Sequence, residues 1–264
     1  MDLYYSLLGL TFCGLVCSLP SSLPSPRIMG GHDAVPGQVP YQAMVWAKFE
    51  SANAWNGGTL LAPRYVVTTG GTLVDGLYGT QTLAVEVFLG ITNYTAAVEP
   101  GRQLLVAENW KLLESGGISL GLIKLATEAI LNEFVGLPKL PSADYFNDDF
   151  VGKKGLISGL GYVRDNVLAD VLQVAELSIM PSKECERFYG KMDWNFWICG
   201  YDPVNSGLTD GDPGGPFTID GVLYGIGYSF PEFDTDIDYR SVFVKIYHYK
   251  DLLIENSDGE IVFP

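Results

Sequence analysis

The chain has 264 residues, 47% of them hydrophobic and 18% charged, enough to bury a full core as one domain of two subdomains. Its formal net charge of −15 excludes nucleic acid and anionic membrane as partners, because both surfaces repel an acidic protein. A basic partner is the electrostatic complement, although charge of this size also serves plain solubility.

Residues 3–16 form an apolar run too short to anchor in a bilayer. With 1–17 they read as a secretory signal peptide, despite Asp2 near its start. Residues 18–27, with Pro20, Pro24 and Pro26, read as a short flexible propeptide ending at Arg27. Residues 28–264 then form the mature domain. Short apolar runs rich in β-branched and aromatic residues follow at 41–46, 59–61, 65–68, 83–89, 120–125, 155–158, 171–179, 222–228 and 242–246. Gly, Pro and Asn punctuate them and none sustains a 3.6-residue period, so they predict the strands of an all-β barrel architecture. Residues 127–141, closing with Pro138 and Pro141, are the expected crossover between two barrels. Only residues 247–256, apolar at Tyr249, Leu252 and Leu253, predict a helix. No second apolar run spans a bilayer, so the mature protein is expected to be secreted, soluble and monomeric.

The hexapeptide Gly211-Asp212-Pro213-Gly214-Gly215-Pro216 resembles the Gly-Asp-Ser-Gly-Gly-Pro signature of trypsin-like serine proteases. Residues 65–72 (Tyr-Val-Val-Thr-Thr-Gly-Gly-Thr) resemble that family's Trp-Val-Val-Ser-Ala-Ala-His-Cys, and residues 119–125 (Ser-Leu-Gly-Leu-Ile-Lys-Leu) resemble Asp-Ile-Ala-Leu-Ile-Lys-Leu. Four more segments agree in order: 27–31 with the activation site, 56–61 with Cys-Gly-Gly-Ser-Leu-Ile, 156–161 with Ile-Ser-Gly-Trp-Gly, and 242–246 with Val-Tyr-Thr-Lys-Val. The resemblance implies a trypsin-like double β-barrel, two antiparallel six-stranded barrels with a C-terminal helix.

It also places Gly71, Ser119 and Pro213 at the catalytic histidine, aspartate and serine. Proline offers neither a hydroxyl nor an N–H, so Gly211 is the remnant of the oxyanion hole. Gly207 falls at the base of the specificity pocket, and Tyr228, Ser229 and Phe230 fall on the strand that flanks it, with Phe230 expected to fill the mouth. Arg27, Ile28 and Asp212 match the activation switch, in which the freed Ile28 amine pairs with a buried Asp212. The resemblance thus implies a catalytically inactive homologue, not an enzyme. Such a protein acts by binding a protease-cascade component, as a decoy, cofactor or inhibitor in complement or immune defence, like secreted protease paralogues of parasitic mites. The alternative is a hydrolase with a relocated catalytic site.

Of four cysteines, Cys13 and Cys17 leave with the signal peptide, and the resemblance pairs Cys185 with Cys199. Asn56 with Thr72, Gly155 with Ile219, and Thr209 stand where the family has other half-cystines. Each missing bridge forfeits about 2–4 kcal/mol, which predicts a less rigid site. The two histidines, His32 and His248, are expected outside the cleft, and no cofactor or metal site is expected. Residues 231–238 carry four alternating carboxylates, read as a solvated rim loop. Asn93-Tyr94-Thr95 is an N-glycosylation sequon.

Overall fold

The computed structural model describes residues 28, 31–74, 79–147, 149–163, 167–203, 206–229 and 240–264. The signal-peptide and propeptide readings, Arg27, Phe230 and the acidic run at 231–238 lie outside the described residues. In chain order the elements are β1 (His32–Asp33), β2 (Gln42–Lys48), β3 (Asn53–Ala62), β4 (Tyr65–Thr69), α1 (Gly70–Leu73), β5 (Ala84–Leu89), β6 (Gln103–Ser115) and β7 (Ile118–Leu125). There follow α2 (Ala143–Phe146), β8 (Lys154–Gly159), β9 (Tyr162–Val163), β10 (Val167–Leu168), β11 (Gln173–Ile179), α3 (Ser182–Tyr189) and β12 (Trp197–Tyr201). The chain ends with β13 (Pro216–Ile219), β14 (Val222–Ser229), β15 (Arg240–Lys245), a 3-10 turn at Ile246–Tyr249 and α4 (Lys250–Glu255).

Strands β2-β3-β4-β7-β6-β5 close into an antiparallel barrel. The period-2 pattern of β2 explains the closure locally: Ala43, Val45 and Ala47 are fully buried, and Val45 sits opposite Asn56 on one side and Val87 on the other. A second barrel runs β8-β13-β14-β15-β12-β11 and is closed by pairing of β11 with β8, with β1 added outside β11. Its interior is aromatic, with Phe217 stacked on Phe243 at 4.4 Å between ring centroids. These are the two six-stranded barrels that the sequence predicts. A seam of fully buried side chains, including Val67, Leu120, Ile226, Val244 and Tyr249, packs one barrel on the other, and Leu253 docks α4 onto it.

Two expectations are corrected. The longest strand, the 13-residue β6, is absent from the predicted runs. Its Leu104, Val106 and Leu112 face solvent while Leu105, Ala107 and Trp110 pack part-buried on the barrel core, so apolar residues stand on both faces, and Glu108, Lys111 and Glu114 interrupt the run, leaving no clean alternation to read. Helix content also exceeds the single predicted C-terminal helix. The eight-residue α3 sets Cys185, Phe188 and Tyr189 at helical spacing but buries only Cys185, and a segment this short carries too brief a pattern to be read as a helix.

Candidate active-site crevice

The turn at residues 211–215 is held against the first barrel by backbone contacts that leave no room for side chains. A Cβ at Gly57 on β3 would lie 2.6 Å from the Asp212 carbonyl oxygen and 2.7 Å from the Gly215 nitrogen. The Thr59 hydroxyl donates to the Gly214 carbonyl at 3.1 Å. Gly214 itself has φ of +94°, where a side chain is strained whatever the space. The half-buried Pro213 is thereby fixed on a turn locked to β3.

On the other wall, β4 runs into α1 and delivers Gly71, and β7 delivers Ser119. A Cβ at Gly70 would collide with the Ser119 hydroxyl, so glycine there lets the two segments close on each other. The Ser119 Oγ is buried and has no hydrogen-bond partner among the described residues. Gly71 is exposed, and a Cβ on it would meet nothing within 4 Å. Tyr228 on β14 contributes what sequence reasoning missed. Its phenol is hydrogen-bonded to the Ser119 backbone, and its ring meets Trp197 edge-on at 5.0 Å. Burial raises the Tyr228 pKa, opposed in part by the Ser119 contact. The residue assigned from sequence to the substrate-facing strand therefore reaches back to the position assigned to the catalytic carboxylate. Only a contact across the seam between β7 and β14 carries that signal. Ser229 ends β14 opposite Val242, and Gly207 is buried next to Leu208, whose N–H donates to the Ser241 hydroxyl at 2.8 Å. Filling of the pocket mouth by Phe230 concerns a residue outside the described ones.

Asp212 is wholly buried and accepts hydrogen bonds from the Gly161 N–H (2.7 Å), the Thr209 N–H (2.8 Å) and the Thr209 hydroxyl (3.0 Å). A Cβ at Gly159 would collide with its carboxylate. These partners are neutral donors. Burial pushes its pKa up to about 6, with the Thr209 and Gly161 bonds opposing and the charge of Asp210 adding. Ile28, 2% exposed, packs into the second-barrel core with Ile157 and Leu208, so its side chain is seated in the uncleaved chain.

Cys185 and Cys199 form a disulfide. Where the family resemblance marks absent bridges, other contacts stand. Thr72, fully buried, lies 3.1 Å from the Thr68 hydroxyl and 3.0 Å from that of Thr69, and Thr68 donates to the Gly57 carbonyl at 2.8 Å. A Cβ at Gly155 would strike the ring of Phe217, and Thr209 serves Asp212. We expect Thr68→Val, which keeps the shape and removes the hydroxyl, to cost about 1–3 kcal/mol by stripping the buried Gly57 carbonyl of its donor. Chemical denaturation measures it, and an unchanged midpoint would rule the threonine cluster out as a replacement for the bridge.

The histidines are placed elsewhere: His32 is paired with Val174 on β11, and His248 stacks on Phe196 at 4.0 Å with Nε2 2.7 Å from the Asn195 carbonyl. Among the described residues no three His, Cys, Asp or Glu side chains group to hold a metal ion. Asn93 is half-buried at a turn, its Oδ1 accepting from the Thr95 N–H, the Thr95 hydroxyl and the Ala96 N–H.

The family model described as Trypsin matches residues 28–253. The chain belongs to the trypsin family. It is 32% identical over 219 residues to chymotrypsin-like elastase family member 3B of Macaca mulatta, covering 75% of this chain and 78% of that one. Brachyurin of Leptuca pugilator is 28% identical over 236 residues (85% and 96%), and chymotrypsin-2 of Vespa crabro 29% over 235 (87% and 100%). Among solved structures, a collagenase matches with a TM-score of 0.73 at 20% identity, covering 87% of this chain and 98% of that chain. Mouse neuropsin matches with 0.72 at 23% (86% and 99%). These two structural likenesses bear on the fold alone.

The relatives correct one expectation. The reading that the chain is not an enzyme is overturned, because this trypsin-family protein has kin that carry the names of proteases. The residues at 71, 119 and 213 bear on one relay mechanism alone. No helix among the described residues is long and apolar enough to cross a membrane.

Proposed function

We propose that this trypsin-family protein is secreted and works by binding a protein partner, as a decoy, cofactor or inhibitor in an extracellular proteolytic cascade. The observation that carries this reading is the crevice itself. The turn at 211–215 remains docked on β3, while Gly71, Ser119 and Pro213 stand where the relay is aligned and Tyr228 lies against the Ser119 backbone. The net charge of −15 supports a basic partner. The sequon at Asn93 supports glycosylation in the secretory route, and the resemblance to secreted mite paralogues that interfere with host complement points to that cascade.

The test is titration of the protein into a reconstituted complement cascade, with binding to each purified component followed by surface plasmon resonance. We expect saturable binding to one component, weakened by salt, and a dose-dependent change in cascade output. Output unchanged at saturating protein, with no component bound, overturns the proposal. The protease names of the relatives favour a second reading, hydrolysis by a relocated catalytic group. Peptide turnover that persists unchanged in Pro213→Ala and Ser119→Ala, and stops on substitution of a residue elsewhere, assigns it.

A further inference from the structure

The outer face of the first barrel carries apolar side chains that the barrel core does not use. On β6, Leu104 and Val106 point away from the core and are 54% and 52% exposed. Register places Leu104 opposite the half-buried Phe88 and Val106 opposite Glu86, so both pairs share the outer face. The segment after β7 extends this face on the other side of β6. The Ala126 N–H donates to the Val106 carbonyl at 2.9 Å, and the Ile130 backbone exchanges two hydrogen bonds with the Gln103 side chain, at 2.7 and 2.8 Å. Residues 126–130 therefore run antiparallel beside residues 103–106. Ala129 is buried in the first-barrel core, so its chain neighbours Glu128 and Ile130 turn outward, and Ile130 is 71% exposed.

Single exposed apolar residues need no explanation, but a contiguous row of them marks a place where another surface fits. This row is also fixed in position. Its backbone belongs to β6 or is tied to Gln103, and Asn132 Oδ1 pins the turn that follows by accepting from the Phe134 and Val135 N–H groups. Side chains on a fixed backbone lose less freedom on binding. The six strands close on themselves, so the face offers no free strand edge and is read through side chains alone. Its border is acidic. Glu86 and Glu128 have no ion pair among the described residues, whereas Arg64 is taken by Glu108 at 2.6 Å and Lys124 by Asp258 at 2.8 Å. Lys48 stands on β2, two strands from β6. A second copy would bring the same carboxylates from both sides, and an anionic membrane would be repelled. We propose that this face docks a basic segment of a protein partner, its apolar residues on Leu104, Val106 and Ile130 and its lysines or arginines against Glu86 and Glu128. The inference rests on the reading that the chain works by binding, and adds to it the surface used.

A fluorescent amphipathic Leu/Lys peptide, titrated with the full chain and followed by anisotropy, tests the surface. Saturable binding with Kd roughly 1–10 μM is expected. A Ser/Lys peptide of equal charge and a Leu/Glu peptide should each bind about tenfold more weakly or worse, because each keeps one half of the complementarity. Joint Leu104→Thr and Ile130→Thr is expected to weaken the Leu/Lys peptide by about tenfold, and joint Glu86→Lys and Glu128→Lys to do the same while flattening the salt dependence. Circular dichroism should stay unchanged, since surface substitutions of this kind leave the core intact. Val151→Thr with Glu184→Lys, exposed residues in the other half of the chain, is the control and should bind as wild type does. Absence of saturation, equal binding of the Ser/Lys or Leu/Glu peptide, wild-type affinity in both variants, or an equal loss in the control overturns the assignment. The parent reading fails separately. A cascade component bound equally by wild type and by Leu104→Thr with Ile130→Thr overturns this surface and leaves binding as the function, whereas peptide binding as expected with no component bound overturns the cascade role and leaves the surface.

Discussion

Asp212→Asn will remove a pH-dependent part of the stability of the uncleaved chain, and the sign distinguishes that form from the cleaved one. In the uncleaved chain the folded pKa is pushed up from the ordinary 3.8 to about 6 by burial. The folded state therefore holds its proton more tightly than the unfolded one. Stability from this group is full below the unfolded value and is lost as pH rises through about 6, a total of about 3 kcal/mol. Asparagine adds a pH-independent offset, since its amide replaces one acceptor facing Thr209 or Gly161, but it abolishes the slope. If Arg27-Ile28 is cut and the Ile28 amine pairs with Asp212, the sign inverts. The carboxylate is then held charged, stability is lost on acidification, and removing one partner costs about 3–5 kcal/mol by stranding the other charge. Urea denaturation of both forms between pH 4 and 7, wild type against Asp212→Asn, measures this. Parallel slopes in the uncleaved chain would falsify the burial account, and equal losses in the two forms would rule out the activation pair.

Gly214→Ala is expected to destabilise the fold by about 2–5 kcal/mol. Two costs add: a left-handed backbone at φ of +94°, about 1–2 kcal/mol for a residue with a Cβ, and overpacking of about 1–3 kcal/mol against the Gly57 carbonyl and the Thr68 hydroxyl. Gly152→Ala separates the two. Gly152 has φ of +83° with nothing within 4 Å of a Cβ, so only the backbone cost of about 1–2 kcal/mol applies. The difference between the variants reads the docking of the 211–215 turn on β3, the contact that fixes the crevice. Equal losses would mean that this docking adds nothing beyond backbone strain.

Much of the fold is legible because a strand with one buried face writes its period into the sequence. The runs ending at Trp46, Leu89, Leu125 and Ile179 coincide with β2, β5, β7 and β11. Strand β6 and helix α3 escape for the same reason in reverse, since neither presents a continuous buried stripe. The Cys185–Cys199 bridge was legible through the family resemblance, as the one pair of cysteines outside the expected leader.

The sequence by itself determined the family, the order of the strands, and the residue types at 71, 119, 207, 211, 212 and 213, because each depends on chain-local pattern. Only the tertiary structure decided what surrounds them. Tyr228 is brought to the Ser119 backbone by packing of β14 against β7, across more than a hundred residues of chain. The Thr68–Thr72 hydroxyls, Phe217 over Gly155 and Thr209 on Asp212 occupy ground where half-cystines are aligned, through contacts whose geometry no spacing encodes. A cleft beside α3 likewise joins residues 149, 183, 194 and 245. Local sequence sets the backbone's preferences over a few residues, but the pairing of distant strands sets which side chains share a buried volume, and there polar groups must find partners or stay costly.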